Sequence, residues 1–124
     1  GTANFVPAQA DVRGGMTSEE LVVCSPIGNF VARRSAEWQG GDAVLLFFRP
    51  ENVDFNNESD LSSNGKNMAT GKIERVTFLG NSADVVIRCG TIALRARVHP
   101  TRAPEAGKLV RFSVAPESCI IFPA

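Results

Sequence analysis

A chain of 124 residues suffices for one ordinary domain, or for two very small barrels sharing a core. Its hydrophobic content of 44% and charged content of 21% exclude a disordered or low-complexity chain. Lysine plus arginine number 13, as do aspartate plus glutamate, so no net field draws the chain to nucleic acid or to an anionic membrane.

Along the chain the apolar residues recur mostly with a period of two. This predicts strands near Asn4–Val12, Leu21–Cys24, Ile27–Arg33 and Ala43–Arg49. The longest apolar run, Ala43 to Phe48, is far too short to span a bilayer as a helix. Thr17-Ser18-Glu19-Glu20 has the spacing of a helix capping box, but the β-branched Val22 and Val23 limit it to about one turn. From Asn56 to Thr70 the chain is polar, with only scattered apolar residues, and is expected to form a long loop. Strands resume near Lys72–Leu79. Val85, Ile87 and Cys89 then alternate with Asp84 and Arg88, and Ile92, Leu94, Ala96 and Val98 with Arg95 and Arg97. Val110, Phe112 and Val114 alternate with Arg111 and Ser113, and a last strand is expected over Glu117–Phe122. Gly90-Thr91 has the length of a tight hairpin connection. Many short strands at this spacing imply an all-β, antiparallel, OB-like barrel or pair of barrels. The expected organisation is a single domain over 1–124, with β-rich halves at about 1–55 and 71–124 joined by the polar loop 56–70.

Catalytic chemistry has no evident seat. The chain lacks the Gly-rich phosphate loop that ends in Gly-Lys-Ser/Thr, and His99 is the only histidine. Cys24, Cys89 and Cys119 lie far apart within apolar stretches, which fits buried thiols better than a disulfide framework or a zinc site. No catalytic, cofactor or metal residue is therefore assigned. Between Val85 and Arg111 six basic residues (Arg88, Arg95, Arg97, Arg102, Lys108, Arg111) face a single acid, Glu105. That balance raises the question of an OB-fold single-strand binder. Phe112 is the only aromatic in the stretch and its parity buries it, so the stacking platforms such binders need are missing. A solvated sheet face or a docking surface for an acidic neighbour is the expected role.

Four signatures in order carry a family resemblance. They are Asn4-Phe5-Val6-Pro7, then Phe48-Arg49-Pro50-Glu51-Asn52-Val53, then Gly71 to Gly80 ending in Leu79-Gly80, and finally Ala115-Pro116-Glu117 running into Cys119–Phe122. Together they resemble the TOBE-type accessory domain of ABC-importer ATPases of the maltose, polyamine and ferric-iron group. The residues carrying the motif are Asn4, Phe5, Pro7, Arg49, Pro50, Glu51, Leu79, Gly80, Pro116 and Glu117, and a structural or interface role is expected for them. Pro50 ends the apolar strand without leaving an unpaired donor, and Arg49 and Glu51 are expected to lock that corner with charge-assisted hydrogen bonds.

The resemblance implies a C-terminal regulatory and dimer-supporting domain of an ATP-binding subunit, with a lean towards polyamine or ferric-iron uptake. Implied partners are its own nucleotide-binding domain, a second ATPase subunit and the transmembrane permease, with no nucleic acid. It implies that ATP and Mg belong to a catalytic domain upstream of Gly1, so that this fragment is not itself an enzyme. It also implies a location at the inner face of the bacterial plasma membrane. A different reading of the same barrel is a sensor of small ligands or oxyanions.

Overall fold

The computed structural model describes residues 3–11, 19–55 and 67–124. Among them, β1 (Asn4–Ala10), β2 (Glu20–Ser25), β3 (Gly28–Arg34) and β4 (Ala43–Phe48) come first. A 3-10 turn at Pro50–Asn52 leads into the two-residue β5 (Asp54–Phe55). β6 (Asn67–Phe78), β7 (Ala83–Cys89) and β8 (Ile92–Val98) follow, then a 3-10 turn at Pro100–Arg102. β9 (Leu109–Val114), a third such turn at Pro116–Ser118, and β10 (Ile120–Pro123) complete the order. The architecture is all-β, as the period-two pattern indicates. No helix among the described residues is long and apolar enough to cross a membrane.

The strands form a closed barrel, in the order β1-β2-β3-β10-β4, and a five-stranded sheet, in the order β5-β9-β6-β7-β8. β10 pairs antiparallel with β4 and parallel with β3, and that parallel pairing shuts the barrel. Two hairpins turn in two residues, between Ser25 and Gly28 and between Cys89 and Ile92. At the second, Gly90 has a φ of +63°, which residues with a Cβ seldom adopt.

The two units repeat one another. β1-β2-β3-β4 of the barrel corresponds to β6-β7-β8-β9 of the sheet, and the registers coincide. Asn4 sits opposite Phe48 as Asn67 sits opposite Val114, and Val22 opposite Val31 as Val86 opposite Arg95. The closing strands are exchanged. β5 follows β4 in the chain but pairs with β9, while β10 follows β9 and pairs with β4. Sheet membership therefore does not follow the two halves expected along the chain.

Each unit also reaches into the other through a buried asparagine. Asn4, 5% exposed, donates from Nδ2 to the Arg95 carbonyl at 2.9 Å and accepts the Arg95 N–H at 2.8 Å. Asn67, also 5% exposed, donates to the Val31 carbonyl at 2.8 Å and accepts the Val31 N–H at 2.7 Å. In each case the primary amide stands in for one residue of a neighbouring strand. Beneath these clamps runs one continuous core that includes Phe30, Leu46 and Phe48 of the barrel and Ile73, Ile87 and Phe112 of the sheet.

Several expectations shift. The polar stretch 56–70 ends early: Asn67 to Thr70 belong to β6, and residues 56–66 lie outside the described residues. Of the capping-box residues Thr17 and Ser18 lie outside the described residues, and Glu20 opens β2. Glu117 lies in the Pro116 turn, so the last strand begins at Ile120. Ser113, assigned by parity to the wet face, is buried, because β5 pairs alongside it.

The cysteines divide in a way the sequence does not show. All three are free thiols; Cys89 and Cys119 are buried and Cys24 is exposed. Burial raises the pKa of both buried thiols, and pushes that of Cys119 from 9.0 up to about 12. The Asn67 amide, 3.5 Å from the Cys119 sulfur, opposes that shift only in part. A soluble thiol reagent is expected to label Cys24 alone in the native chain, and all three residues in denaturant; mass spectrometry counts the adducts. Because the folded state holds the Cys119 proton more tightly than the unfolded chain does, that stabilisation is complete below about pH 9 and lost as pH rises towards 12.

Candidate functional site

A cleft of about 220 Å³ opens between the Pro50 turn at the end of β4 and the outer face of β7 and β8. Arg49, Pro50 and Glu51 line it from the barrel side, and Asp84, Val85, Arg95, Ala96 and Arg97 from the sheet side. The cleft exists because the second sheet is not closed. In the barrel the matching seam is zipped, since β10 pairs with β3 and the Arg33 N–H donates to the Cys119 carbonyl at 2.8 Å. In the sheet β5 is two residues long and pairs with β9 alone, so among the described residues no ladder joins it to β8. The Pro50 turn stands beside β8 with a gap between them.

The charges lining this gap are not equivalent. Arg97 donates from Nε to Asp84 Oδ1 at 2.9 Å, across a directly opposed β7–β8 pair. That hydrogen bond and the Asp84 charge raise the Arg97 pKa above its ordinary value, against slight desolvation, and the Glu51 charge adds to the rise. Arg97 is thus paired with Asp84. Neither Arg49 nor Arg95 forms an ion pair with a carboxylate among the described residues. The Arg49 guanidinium lies 5.5 Å from the centre of the Phe47 ring, and the Arg95 main chain is held by Asn4. A planar guanidinium presents a fork of N–H donors that matches the oxygens of a carboxylate or tetrahedral oxyanion. Both arginines line one small cleft, one from each unit.

The motif residues fall into three groups. Arg49, Pro50 and Glu51 line the cleft, and Asn4 supports it from behind through Arg95. Among the described residues the expected charge-assisted bonds of Arg49 and Glu51 do not appear, and Arg49 lies instead over the Phe47 ring. Phe5 and Pro7 stay on β1. Phe5, 56% exposed, contacts Phe47 at a ring separation of 5.3 Å, and Phe47 contacts Phe122 at 5.7 Å, giving an aromatic row on the outer barrel face. Pro7 occupies a part of β1 that β2 does not reach, where a missing N–H is tolerated. Leu79 and Gly80 form the exposed β6–β7 turn, with the Leu79 N–H donating to the Ser82 carbonyl at 2.8 Å and Gly80 at a φ of +84°. Pro116 and Glu117 form the turn against β3 and take no part in the cleft.

Four of the six residues of the basic stretch, Arg97 among them, sit beside a carboxylate. Arg88 binds Glu74 at 3.0 Å, Lys108 faces Glu105 at 3.7 Å and Arg102 lies 4.0 Å from Asp54. These exposed pairs contribute about 0–1 kcal/mol each. Arg95, Arg97 and Asp84 are site residues that sequence reasoning left as a wet strand face. Among the described residues no group of three or more His, Cys, Asp or Glu is placed to hold a metal ion.

The described residues thus form a strand-exchanged pair of small OB-like β units with a polar cleft between them. A family model described as TOBE domain matches residues 46–122, more than half of the chain, and the chain belongs to that family. Among solved structures, the cytoplasmic molybdate-binding protein ModG, with molybdate bound, is similar over 98% of this chain and 96% of that one. The TM-score is 0.80 at 13% sequence identity, so the likeness is one of fold. No curated protein matches.

Proposed function

We propose that the chain binds a small anion in the cleft between its barrel and its second sheet. The observation that carries this reading is that Arg49 and Arg95, neither of them ion-paired among the described residues, line one cleft from two units. The fold shared with a molybdate-binding protein supports the same ligand class, a small oxyanion. A cleft of about 220 Å³ admits a tetrahedral oxyanion or a short carboxylate together with bridging water. Titration calorimetry with molybdate, sulfate and phosphate at low ionic strength tests the reading. Arg49→Ala with Arg95→Ala is expected to weaken binding at least tenfold, about 1.4 kcal/mol, and to abolish the ligand-induced rise in melting temperature. Undiminished binding by the double variant would remove the cleft from consideration.

Membership of the TOBE family favours a second reading, in which the same domain serves as the accessory part of an ABC-importer ATPase. Its partners would then be the nucleotide-binding domain of its own chain, a second ATPase subunit and, through them, the permease at the inner membrane face. ATP and Mg would be handled by that other domain, with polyamine or ferric iron as cargo. Sedimentation separates the roles: a ligand-independent dimer favours pairing, and an anion-dependent shift favours sensing.

A further inference from the structure

The repeat between the two units supplies a comparison that the cleft alone does not. Every lining residue has a counterpart on the other side of the internal two-fold relation. Arg49-Pro50-Glu51 corresponds to Ala115-Pro116-Glu117, since both segments leave an equivalent strand and start a 3-10 turn whose closing N–H returns to the proline carbonyl. Asp84 opposite Arg97 corresponds to Glu20 opposite Arg33, and Arg95 opposite Val86 to Val31 opposite Val22. The carboxylates and the paired-strand arginine are thus repeated. The two uncompensated arginines are not: Ala115 stands where Arg49 would be, and Val31 where Arg95 would be. The backbone differs in the same direction, because the barrel seam at Arg33 and Cys119 is closed by a hydrogen bond and the sheet seam is open.

We infer that the chain holds one anion binding site rather than two, in which Arg49 and Arg95 together clasp a single mono- or dianionic oxyanion and thereby join the barrel to the sheet. This inference rests on the anion-binding reading above. The equivalent position beside the Pro116 turn carries two acids, Glu20 and Glu117, against Arg33, and its seam is zipped by the pairing of β10 with β3. With Ala115 and Val31 in place of the two arginines, nothing there offsets the repulsion of those carboxylates on an anion. At the sheet seam Arg97 engages Asp84, and Arg49 and Arg95 add two further guanidiniums that the barrel seam lacks, each able to meet an oxyanion as a fork of donors. Asn4 acts as a positioning residue, because its amide fixes the Arg95 main chain from within the barrel.

Calorimetric titration with molybdate, the probe, is expected to give one equivalent per chain. Arg49→Ala and Arg95→Ala are each expected to weaken binding at least tenfold, and Arg33→Ala to change it less than twofold. In nuclear magnetic resonance spectra the side-chain Nε–H signals of Arg49 and Arg95 are expected to shift on titration while that of Arg33 stays fixed, a readout that altered stability would not produce. Two equivalents per chain, or equal loss in Arg33→Ala, would overturn the single-site inference and leave anion binding standing. No binding by the wild-type chain of molybdate, sulfate or phosphate would overturn both.

Discussion

Replacing Asn67 by leucine is expected to lower the unfolding free energy by about 2–4 kcal/mol. Leucine keeps the branching at Cγ, though it is bulkier, and makes none of the bonds. The Val31 N–H and C=O both turn to the buried Asn67 amide, at 2.7 and 2.8 Å, in a partly buried setting between β6 and β3. Removing the amide leaves a donor and an acceptor of the main chain unsatisfied, and each such group costs about 1–3 kcal/mol. Asn67→Asp is expected to be nearly as damaging, because it keeps the acceptor for the Val31 N–H but sets an oxygen against the Val31 carbonyl. Urea denaturation followed by circular dichroism measures the effect as a fall in midpoint at unchanged slope. A loss below about 0.5 kcal/mol would mean that water replaces the amide and that the clamp is not a structural link.

The second large effect is expected at Gly71. A Cβ there would lie 2.5 Å from Ile87 Cγ2, 2.8 Å from Cys89 Sγ and 3.0 Å from the Arg88 carbonyl oxygen. The first two atoms belong to buried side chains and the third to the main chain of a paired strand, so none withdraws freely. Gly71→Ala is expected to destabilise by about 1–3 kcal/mol through overpacking, despite the higher strand propensity of alanine. The repeat sharpens this expectation, since the counterpart position in the barrel is Ala8 and a methyl group is accommodated there. Trimming the obstacle with Ile87→Val in the Gly71→Ala background is expected to return part of the loss. If Gly71→Ala unfolds at the wild-type urea midpoint, β6 and β7 do not approach as closely as described.

What the sequence discloses and what it conceals follow from the range of each interaction. β7 and β8 are legible because one face of each is buried and the other wet, so alternation survives in Val85, Ile87, Leu94 and Ala96. β5 is invisible because two residues cannot express a period. The start of β6 is masked because Asn67 is a buried polar residue and Thr70 an exposed one, and nothing local reveals that the Asn67 amide is satisfied by β3. The exchange of β5 and β10 is a fact of pairing, which hydrophobic patterning does not encode. The candidate site is half legible. Arg49-Pro50-Glu51 stands out as a motif, whereas Arg95 reads as one more exposed arginine until topology brings β8 to the Pro50 turn. The basic stretch misleads for the same reason, since its partners Glu74, Asp84 and Asp54 lie elsewhere in the chain or across a strand pair.

The reciprocal loan of closing strands has a consequence for how the molecule comes apart. A protein built of two self-sufficient modules is cut by a nick between them into two working pieces. Here a nick between β5 and β6 would leave each fragment carrying a strand that belongs to its neighbour and lacking the one it needs, with an unpaired edge exposed. The halves are therefore partners in a single act of folding, and a ligand clasped between them would act on that shared cooperativity.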